Sequence, residues 1–513
     1  MIDPAAKRIP TSRGQEDGFP AFEVERVTGS KTLVGNRLEL QYEGSSTFNS
    51  WLEGINRAER LVYLENYLIR DDRVGRAFRD VLVEKARSGV PVYVIYDWVG
   101  CWATPRSYWK PLKQAGVHVR AFNPPSRGII GDPFGILRRD HRKLIVLDGE
   151  IAYVGGFCLG VEWVGGPTHQ PWRDTAVKIS GPAARAAARA FETTWRRMDE
   201  SFALSEQLPI PSNVGDTPVW LIEGEPERTR VYRTIHWVAA RAKERVWITD
   251  AYFVAPRSVS EALGAAAQQG VDVRILVPAH NNWPLVGSLS RGGYRSLLKS
   301  GVRIFEWQGP MIHAKTTVVD GLWSRVGSSN VNSASLIGNW ELDVGVLDTA
   351  LAGQLEELFL SDLTSSVEIV LPGRQLKAGI EMPEESGATE PLDPQGTLPK
   401  RIKQQMQTLG TTQGHMTMAP LVRARAALGD SLAGDRPIGR EDRTVLGTVS
   451  ALILSTAIFT AFFPTFVGVV VAVLACWFGL TTGVRAYLQS RRARTEERQT
   501  STTVKRDQGE NNS

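Results

Sequence analysis

Two stretches of the chain repeat the same order of apolar and polar positions. From Glu59, ERLVYLENYLIRDD is a β-branched and aromatic run. A helical stretch follows, ends at a Gly, and gives way to a second apolar run in SGVPVYVIYDW. From Glu244, ERVWITDAYFVAP opens the same sequence of features and QGVDVRILVPA closes it. Each unit predicts strand, helix, strand, with both strands buried and parallel. AGVHVRAFNPP from Ala115 and SGVRIFEWQGP from Ser300 add a further Gly-then-strand step to each copy. Repeats of this length predict a duplicated α/β fold, not a solenoid, whose units are shorter. The expected lobes are residues 21–205 and 206–370.

The flanks differ in pattern. Residues 1–20 are polar and lack an apolar h-region, so a loose tail without a signal peptide is expected. Beyond Leu371 the periodicity fades, and ESGATEPLDPQGTLPK reads as linker. The linker and a juxtamembrane segment fill residues 371–443, where Met418 to Arg443 has room for a short amphipathic helix. Thr444 to Val484 are 41 consecutive residues without a charge. One bilayer span needs about 20 apolar residues, and Phe462-Phe463-Pro464-Thr465 breaks the run near its middle. A two-span transmembrane hairpin over 444–484 is therefore expected, followed by a polar basic tail over 485–513. Arg436, Arg440 and Arg443 precede the hairpin, Arg485, Arg491, Arg492 and Arg494 follow it, and the turn carries no positive residue. The positive-inside rule then puts both ends, and the catalytic body, on the cytoplasmic side of the membrane.

Composition narrows the classes. Among 513 residues, 60 Lys and Arg against 55 Asp and Glu leave +5, too little for a nucleic-acid-coating protein. Apolar residues at 42% and charged residues at 22% exclude wholesale disorder. Cys101, Cys158 and Cys476 are far apart, with no disulfide framework or thiolate metal spacing, which suits a reducing compartment.

The chemistry lies at the end of each repeat. Copy one reads His141-Arg-Lys143-LIVL-Asp148-GEIAYV-Gly155-Gly156; copy two reads His313-Ala-Lys315-TTVV-Asp320-GLWSRV-Gly327-Ser328-Ser329-Asn330. His and Lys two apart on a strand share a face. Asp-Gly then predicts a hairpin turn, which brings Gly155, Gly156, Ser328 and Asn330 back beside the His and Lys. An imidazole, an ammonium and a backbone with little side-chain bulk suit a tetrahedral phosphate. With two copies, one His attacks phosphorus while the other protonates the leaving oxygen, and the second then activates the incoming hydroxyl. Each His needs a carboxylate at its far nitrogen to fix the tautomer. Asp174 in PWRDTAVKI and Glu341 in NWELDVGV, each following its histidine, are expected to be these orienting acids. The lysines and the Ser and Asn groups supply the electrostatics, so neither a metal nor a cofactor is expected. Asp148 and Asp320 belong to the motif and are read as serving the turn. His118, His169, His236, His280 and His415 lack such a context. The loop WVGCWATPRSYW and the insertion NPPSRGIIGDPFGILRR are read either as core and lip or as an apolar entrance for acyl chains.

A doubled HxKxxxxD followed by GG or GSxN resembles the phospholipase D superfamily. HRKLIVLDGEIAYVGGF, WRDTAVKISGPA, DAYFVAP, GVRIFEWQGPMIHAKTTVVDG and GSSNVNSASLIGNWEL are similar to its bacterial cardiolipin synthase branch over about residues 35–370. The resemblance implies two α/β lobes with pseudo-twofold symmetry sharing one active site, with His141, Lys143, Asp148, His313, Lys315 and Asp320 as the catalytic signature. It implies a phosphatidyltransferase acting through a phosphohistidine, with phosphatidylglycerol as donor and acceptor, glycerol released, and His141 as nucleophile. Cys158 departs from the family, which usually has Asn there, so the first half loses an amide donor. Two other readings stand beside this one: a phospholipase D-type hydrolase using water, and a non-catalytic membrane organiser with a degenerate first site. A nucleic-acid partner is not expected, since no basic stripe accompanies the motif; the expected location is the inner (cytoplasmic) membrane. The oligomeric state is not legible.

Overall fold

A computed structural model of the chain describes residues 18–124, 138–167, 169–198, 204–226, 228–282 and 284–371. Beyond Leu371 the expected linker, membrane hairpin and basic tail lie outside the described residues, as do residues 125–137 of the insertion before His141 and residues 1–17 of the N-terminal tail. Among the described residues, no helix is long and apolar enough to cross a membrane.

The first half contains β1 (Leu33–Gln41), β2 (Val62–Asn66), β3 (Val92–Asp97), β4 (His118–Phe122), β5 (Lys143–Leu147), β6 (Ile151–Gly155) and β7 (Ala176–Ser180). The second contains β8 (Thr217–Gly224), β9 (Arg245–Asp250), β10 (Asp272–Pro278), β11 (Arg303–Trp307), β12 (Lys315–Val319), β13 (Trp323–Gly327), β14 (Glu341–Leu347) and β15 (Ser366–Ile369). The helices are α1 (Ala21–Thr28), α2 (Gly44–Arg57), α3 (Arg73–Arg87), α4 (Arg106–Gln114), α5 (Pro182–Arg196), α6 (Arg230–Arg241), α7 (Arg257–Gln268), α8 (Pro284–Lys299) and α9 (Thr349–Thr364).

Among the described residues, fifteen strands join one sheet in the order β15-β11-β10-β9-β12-β13-β14-β8-β1-β7-β6-β5-β2-β3-β4. Apart from the edge strand β15, the order is a palindrome about the antiparallel β1–β8 pair, the expected pseudo-twofold. The β2–β3–β4 and β9–β10–β11 triplets are parallel, as the strand–helix–strand pattern required. The helix before each second strand stops at a positive-φ glycine, Gly89 (φ 90°) in one copy and Gly270 (φ 97°) in the other. Between β5 and β6 the turn residues Asp148 and Gly149 have φ of 55° and 69°, and Asp320 and Gly321 repeat this at 53° and 63°. Positive φ at both central positions is what a type I′ hairpin demands, and it matches the strand twist.

The small residues of α5 (Ala183, Ala184, Ala187, Ala188) let it approach the sheet closely, in one core with Tyr63, Val146, Val177, Leu221 and Val344 from both halves. The helix α1 packs by Val24 into the core of the second half, with Val231, Ile235 and Trp220. Its sequence position had suggested the first lobe; its apolar face is buried against α6 and β8 instead.

Candidate active site

β5 and β12 begin at Lys143 and Lys315, so each His–Lys pair stands at a strand entrance. Leu144 lies opposite Val154, which leaves Lys143 beside Gly155 as the hairpin reading required. Both lysines are buried, at 1% and 0% exposure. The Lys143 ammonium donates to the His141 carbonyl (2.5 Å), and that of Lys315 donates to the His313 carbonyl.

Each histidine is completed by the other half. His141 Nδ1 meets Glu341 Oε1 and Oε2 at 3.1 and 3.0 Å, and its backbone N–H donates to Trp340 O at 2.8 Å. His313 Nδ1 meets Asp174 Oδ2 at 2.7 Å, and its backbone N–H donates to Arg173 O at 2.6 Å. Glu341 and Asp174 are the two orienting acids that the sequence singled out, but the pairing is crossed. Sequence order had tied each acid to the histidine before it. The palindromic sheet sets the start of β14 against His141, and Asp174, two residues before β7, against His313. Because a carboxylate only accepts, both Nδ1 atoms carry the proton and both Nε2 lone pairs are left for chemistry.

The acids are themselves held. Ser328 Oγ donates to Glu341 Oε2 (2.5 Å) and accepts from Leu342 N (3.0 Å). Trp163 Nε1 and Thr175 N donate to Asp174 at 2.7 and 2.8 Å. Ser328 therefore supports the carboxylate, where the sequence had placed it toward phosphate. The glycines are part of the same packing. A Cβ on Gly156 would lie 2.0 Å from Asp174 Oδ1, and one on Gly155 would lie 2.4 Å from the Ala176 Cα. Their smallness makes room for the orienting acid and the neighbouring strand. Asn330 is buried, and its Oδ1 has no hydrogen-bond partner among the described residues.

Asp148 and Asp320 stand apart from the histidines, beyond the far ends of β5 and β12. Asp148 accepts from the backbone N–H groups of Glu59, Arg60 and Leu61 at 3.0, 2.7 and 2.8 Å. Asp320 accepts from Lys243, Glu244 and Arg245 at 2.9, 2.9 and 2.8 Å. They belong to the motif as turn anchors, which removes them from the catalytic set in which the signature had placed them. Asp148→Ala and Asp320→Ala are each expected to lower unfolding free energy by about 2–3 kcal/mol, through lost charge-assisted hydrogen bonds and a Cβ-bearing residue left at positive φ without its compensating carboxylate. Chemical denaturation checks this, and activity per folded molecule should be preserved.

Residues the sequence reading passed over complete the site. The Tyr67 ring meets the His141 ring edge-on at 5.0 Å, with Lys143 Nζ at 5.2 Å from it. Tyr252 repeats this around His313 and Lys315 at 5.7 and 5.6 Å. The only sequence signal was the shared strand-end aromatic in LENY and TDAY. Asp250 accepts from Val331 N (2.7 Å) and Tyr252 N (2.9 Å), tying the Asn330 loop to β9. Arg142, fully buried, donates to Glu341 O, Ala190 O, Thr194 Oγ1 and Glu223 Oε2 and so braces the backbone of the acid that faces His141.

Burial decides the protonation states. It lowers the His141 imidazole and takes His313 down to about 3, helped at His313 by the adjacent Lys315 charge. Both rings are therefore neutral at ordinary pH. Burial also lowers Lys315, to about 8. Burial works to raise Glu341 and Asp174, but the facing histidines and lysines outweigh it and hold both carboxyls below their ordinary range. Burial raises Asp250 to about 6 and raises the Cys158 thiol, which stays protonated and un-nucleophilic. Two lysines and two tautomer-locked, neutral imidazoles in one dry site fit a phosphodiester that is attacked at phosphorus.

The fold and this doubled, interlocked His–Lys site define a phospholipase D-like phosphotransfer protein. A model of the family "Cardiolipin synthase, PLD-like domain" matches residues 52–195 and 238–363. Cardiolipin synthase A of Pseudomonas aeruginosa (strain PAO1) is 32% identical over 353 residues, 68% of this chain and 71% of that protein. Cardiolipin synthase A of Pseudomonas putida is 34% identical over 368 residues, 70% of this chain and 75% of that protein. The crystal structure of phosphatidylserine synthase from Haemophilus influenzae Rd KW20 superposes with a TM-score of 0.54 at 13% identity, over 68% of this chain and 92% of that one, a likeness of fold. The chain belongs to the cardiolipin synthase family of phospholipase D-like proteins and is a phosphatidyltransferase of that superfamily.

Proposed function

We propose that this enzyme joins two phosphatidylglycerol molecules into cardiolipin and releases glycerol. The observation that carries the reading is the crossed pairing of His141 with Glu341 and of His313 with Asp174. It supplies two imidazoles of fixed tautomer to one substrate. His141 is the more accessible, with 12% of its side chain exposed against 6% for His313, and is assigned as nucleophile. Its Nε2 attacks phosphorus, and the phosphorus–oxygen bond to the glycerol headgroup breaks. His313 gives that oxygen a proton, having gained it as the bound phosphodiester offsets the lysine charges. His313 then takes a proton from a hydroxyl of the second phosphatidylglycerol. That oxygen attacks the phosphatidyl-histidine, and the phosphorus–nitrogen bond breaks. The uncharged stretch over 444–484 is read as the hairpin that holds the catalytic body at the cytoplasmic face of the inner membrane.

The reverse assignment has one observation in its favour: His313 is the more strongly depressed imidazole and so the more firmly neutral base. Trapping the covalent intermediate, described below, separates the two. Incubating the detergent-solubilised protein with labelled phosphatidylglycerol tests the function itself. Cardiolipin and free glycerol are expected. Phosphatidic acid without cardiolipin would make the protein a hydrolase, and no lipid turnover would favour a membrane organiser.

The buried lysine gives the reaction a pH signature. Lys315 carries its charge below about 8 and loses it above. The value of kcat/KM, which reports the free enzyme, should therefore fall as pH rises through about 8. Lys315→Arg should abolish that limb while keeping measurable turnover, as read from a pH–rate profile.

A further inference from the structure

The turn between β3 and α4 exposes a cluster that the site leaves unused. Trp98, Val99 and Trp102 are 38%, 37% and 59% exposed. The turn is rigidly built. Asp97 accepts from Val99 N and Gly100 N at 2.9 Å each, and Cys101 Sγ accepts from Ile69 N at 3.2 Å. A Cβ on Gly100 would lie 1.9 Å from Tyr67 O, so the turn is seated on the very segment whose tyrosine faces His141. Asp97 also accepts from Asp140 N at 3.0 Å, one residue before that histidine. The turn that carries the exposed tryptophans is thus fixed against the segments that carry Tyr67 and His141.

The following helix has matching chemistry. Tyr108, Trp109 and Leu112 are buried, while Arg106, Lys110 and Lys113 are exposed at i, i+4 and i+7, one stripe of α4. From Trp98 to Pro124 the chain has no Asp or Glu. Exposed tryptophans followed along the chain by a single-sign basic stripe are the chemistry of an interfacial anchor on anionic lipid: the indoles sit at headgroup depth and the lysines and arginine meet the negative surface.

We propose that the Trp98–Trp102 turn and the basic stripe of α4 seat the catalytic body directly on an anionic bilayer, with the His141 side of the site facing the lipid. This inference rests on the lipid-substrate reading above. It assigns a second membrane contact, separate from the 444–484 segment, which orients the site instead of merely tethering it.

The test uses the full chain reconstituted in phosphatidylglycerol vesicles. Trp98→Ser/Trp102→Ser is expected to lower turnover of bilayer phosphatidylglycerol about tenfold or more. Turnover of monomeric dihexanoyl phosphatidylglycerol, which needs no docking, should stay within about twofold. Arg106→Glu/Lys110→Glu, on an exposed helix face, should show the same split at low salt and lose it at about 1 M salt. An environment-sensitive fluorophore at position 102 (Trp102→Cys on a Cys476→Ser background) should shift to the blue on phosphatidylglycerol vesicles and not on phosphatidylcholine. Equal losses on both substrates by both variants, no loss on either, or no blue shift would each overturn the proposal; intact turnover with no lipid shift would point to a protein partner instead. If the unaltered chain turns over neither substrate, the proposed function fails, and the fluorophore alone decides the anchor.

Discussion

Replacement of His141 or His313 by alanine is expected to lower phosphatidyl transfer by about four orders of magnitude or more. Neither lysine can substitute. Lys143 and Lys315 are turned back on the carbonyls of their own histidines, as charge rather than as nucleophile. The two variants should differ in what they trap. Quenching in alkaline detergent, which preserves a phosphorus–nitrogen bond, after mixing with phosphatidyl-labelled substrate should recover no covalent label from His141→Ala. His313→Ala should still form label slowly from a substrate with a good leaving group, because such a group needs no proton, and should then fail to discharge it. The opposite pattern would reverse the assignment of the two histidines. Retention of more than about a tenth of the activity by either variant would remove that histidine from the reaction.

The second large effect comes from the crossed carboxylates. Glu341→Gln and Asp174→Asn should each cost about two to four orders of magnitude, since an amide keeps the shape but permits the wrong tautomer. The effect must cross the molecule. Nitrogen NMR of the imidazoles should show Glu341→Gln disturbing His141 and leaving His313 as it was, and Asp174→Asn doing the reverse. Loss of the Glu341 charge removes the interaction that raises His141, so that ring should become still harder to protonate. If each acid instead altered the histidine that precedes it in sequence, the crossed geometry would be wrong. Gly156→Ala offers a third route to the same end, because its methyl group would meet the Asp174 carboxylate and disturb a histidine in the opposite half.

Much of this was legible in the amino-acid order because it is local. Alternation and the recurring Gly-then-strand step define the parallel triplets, and Asp-Gly defines both hairpins. A spacing of two puts His and Lys on one face. Even the orienting acids could be picked out, as carboxylates in strand-like runs after a Trp. Their partners could not, because spacing carries no record of which of two equivalent histidines a distant strand will face. That choice is made by the β1–β8 pairing at the centre of the sheet. What the glycines pack against was hidden for a related reason. A small residue near a phosphate site and one that clears room for a carboxylate leave the same trace in a sequence. Tyr67, Tyr252 and Asp250 gave only a faint shared signal at strand ends, and Arg142 gave none, since its equivalent in the second copy is Ala314. The helix α1 joined the half to which its short apolar face is complementary, which chain order does not reveal.

The crossed pairing also orders events in time. His141 and Glu341 are separated by 200 residues, and His313 and Asp174 by 139. A chain emerging from the ribosome already presents a complete first histidine motif long before β14 exists. Until that strand is made and closes against its counterpart, the imidazole has no fixed tautomer and no partner acid. The half-made protein is thus chemically unarmed, and a strand made late in synthesis acts as the safety catch.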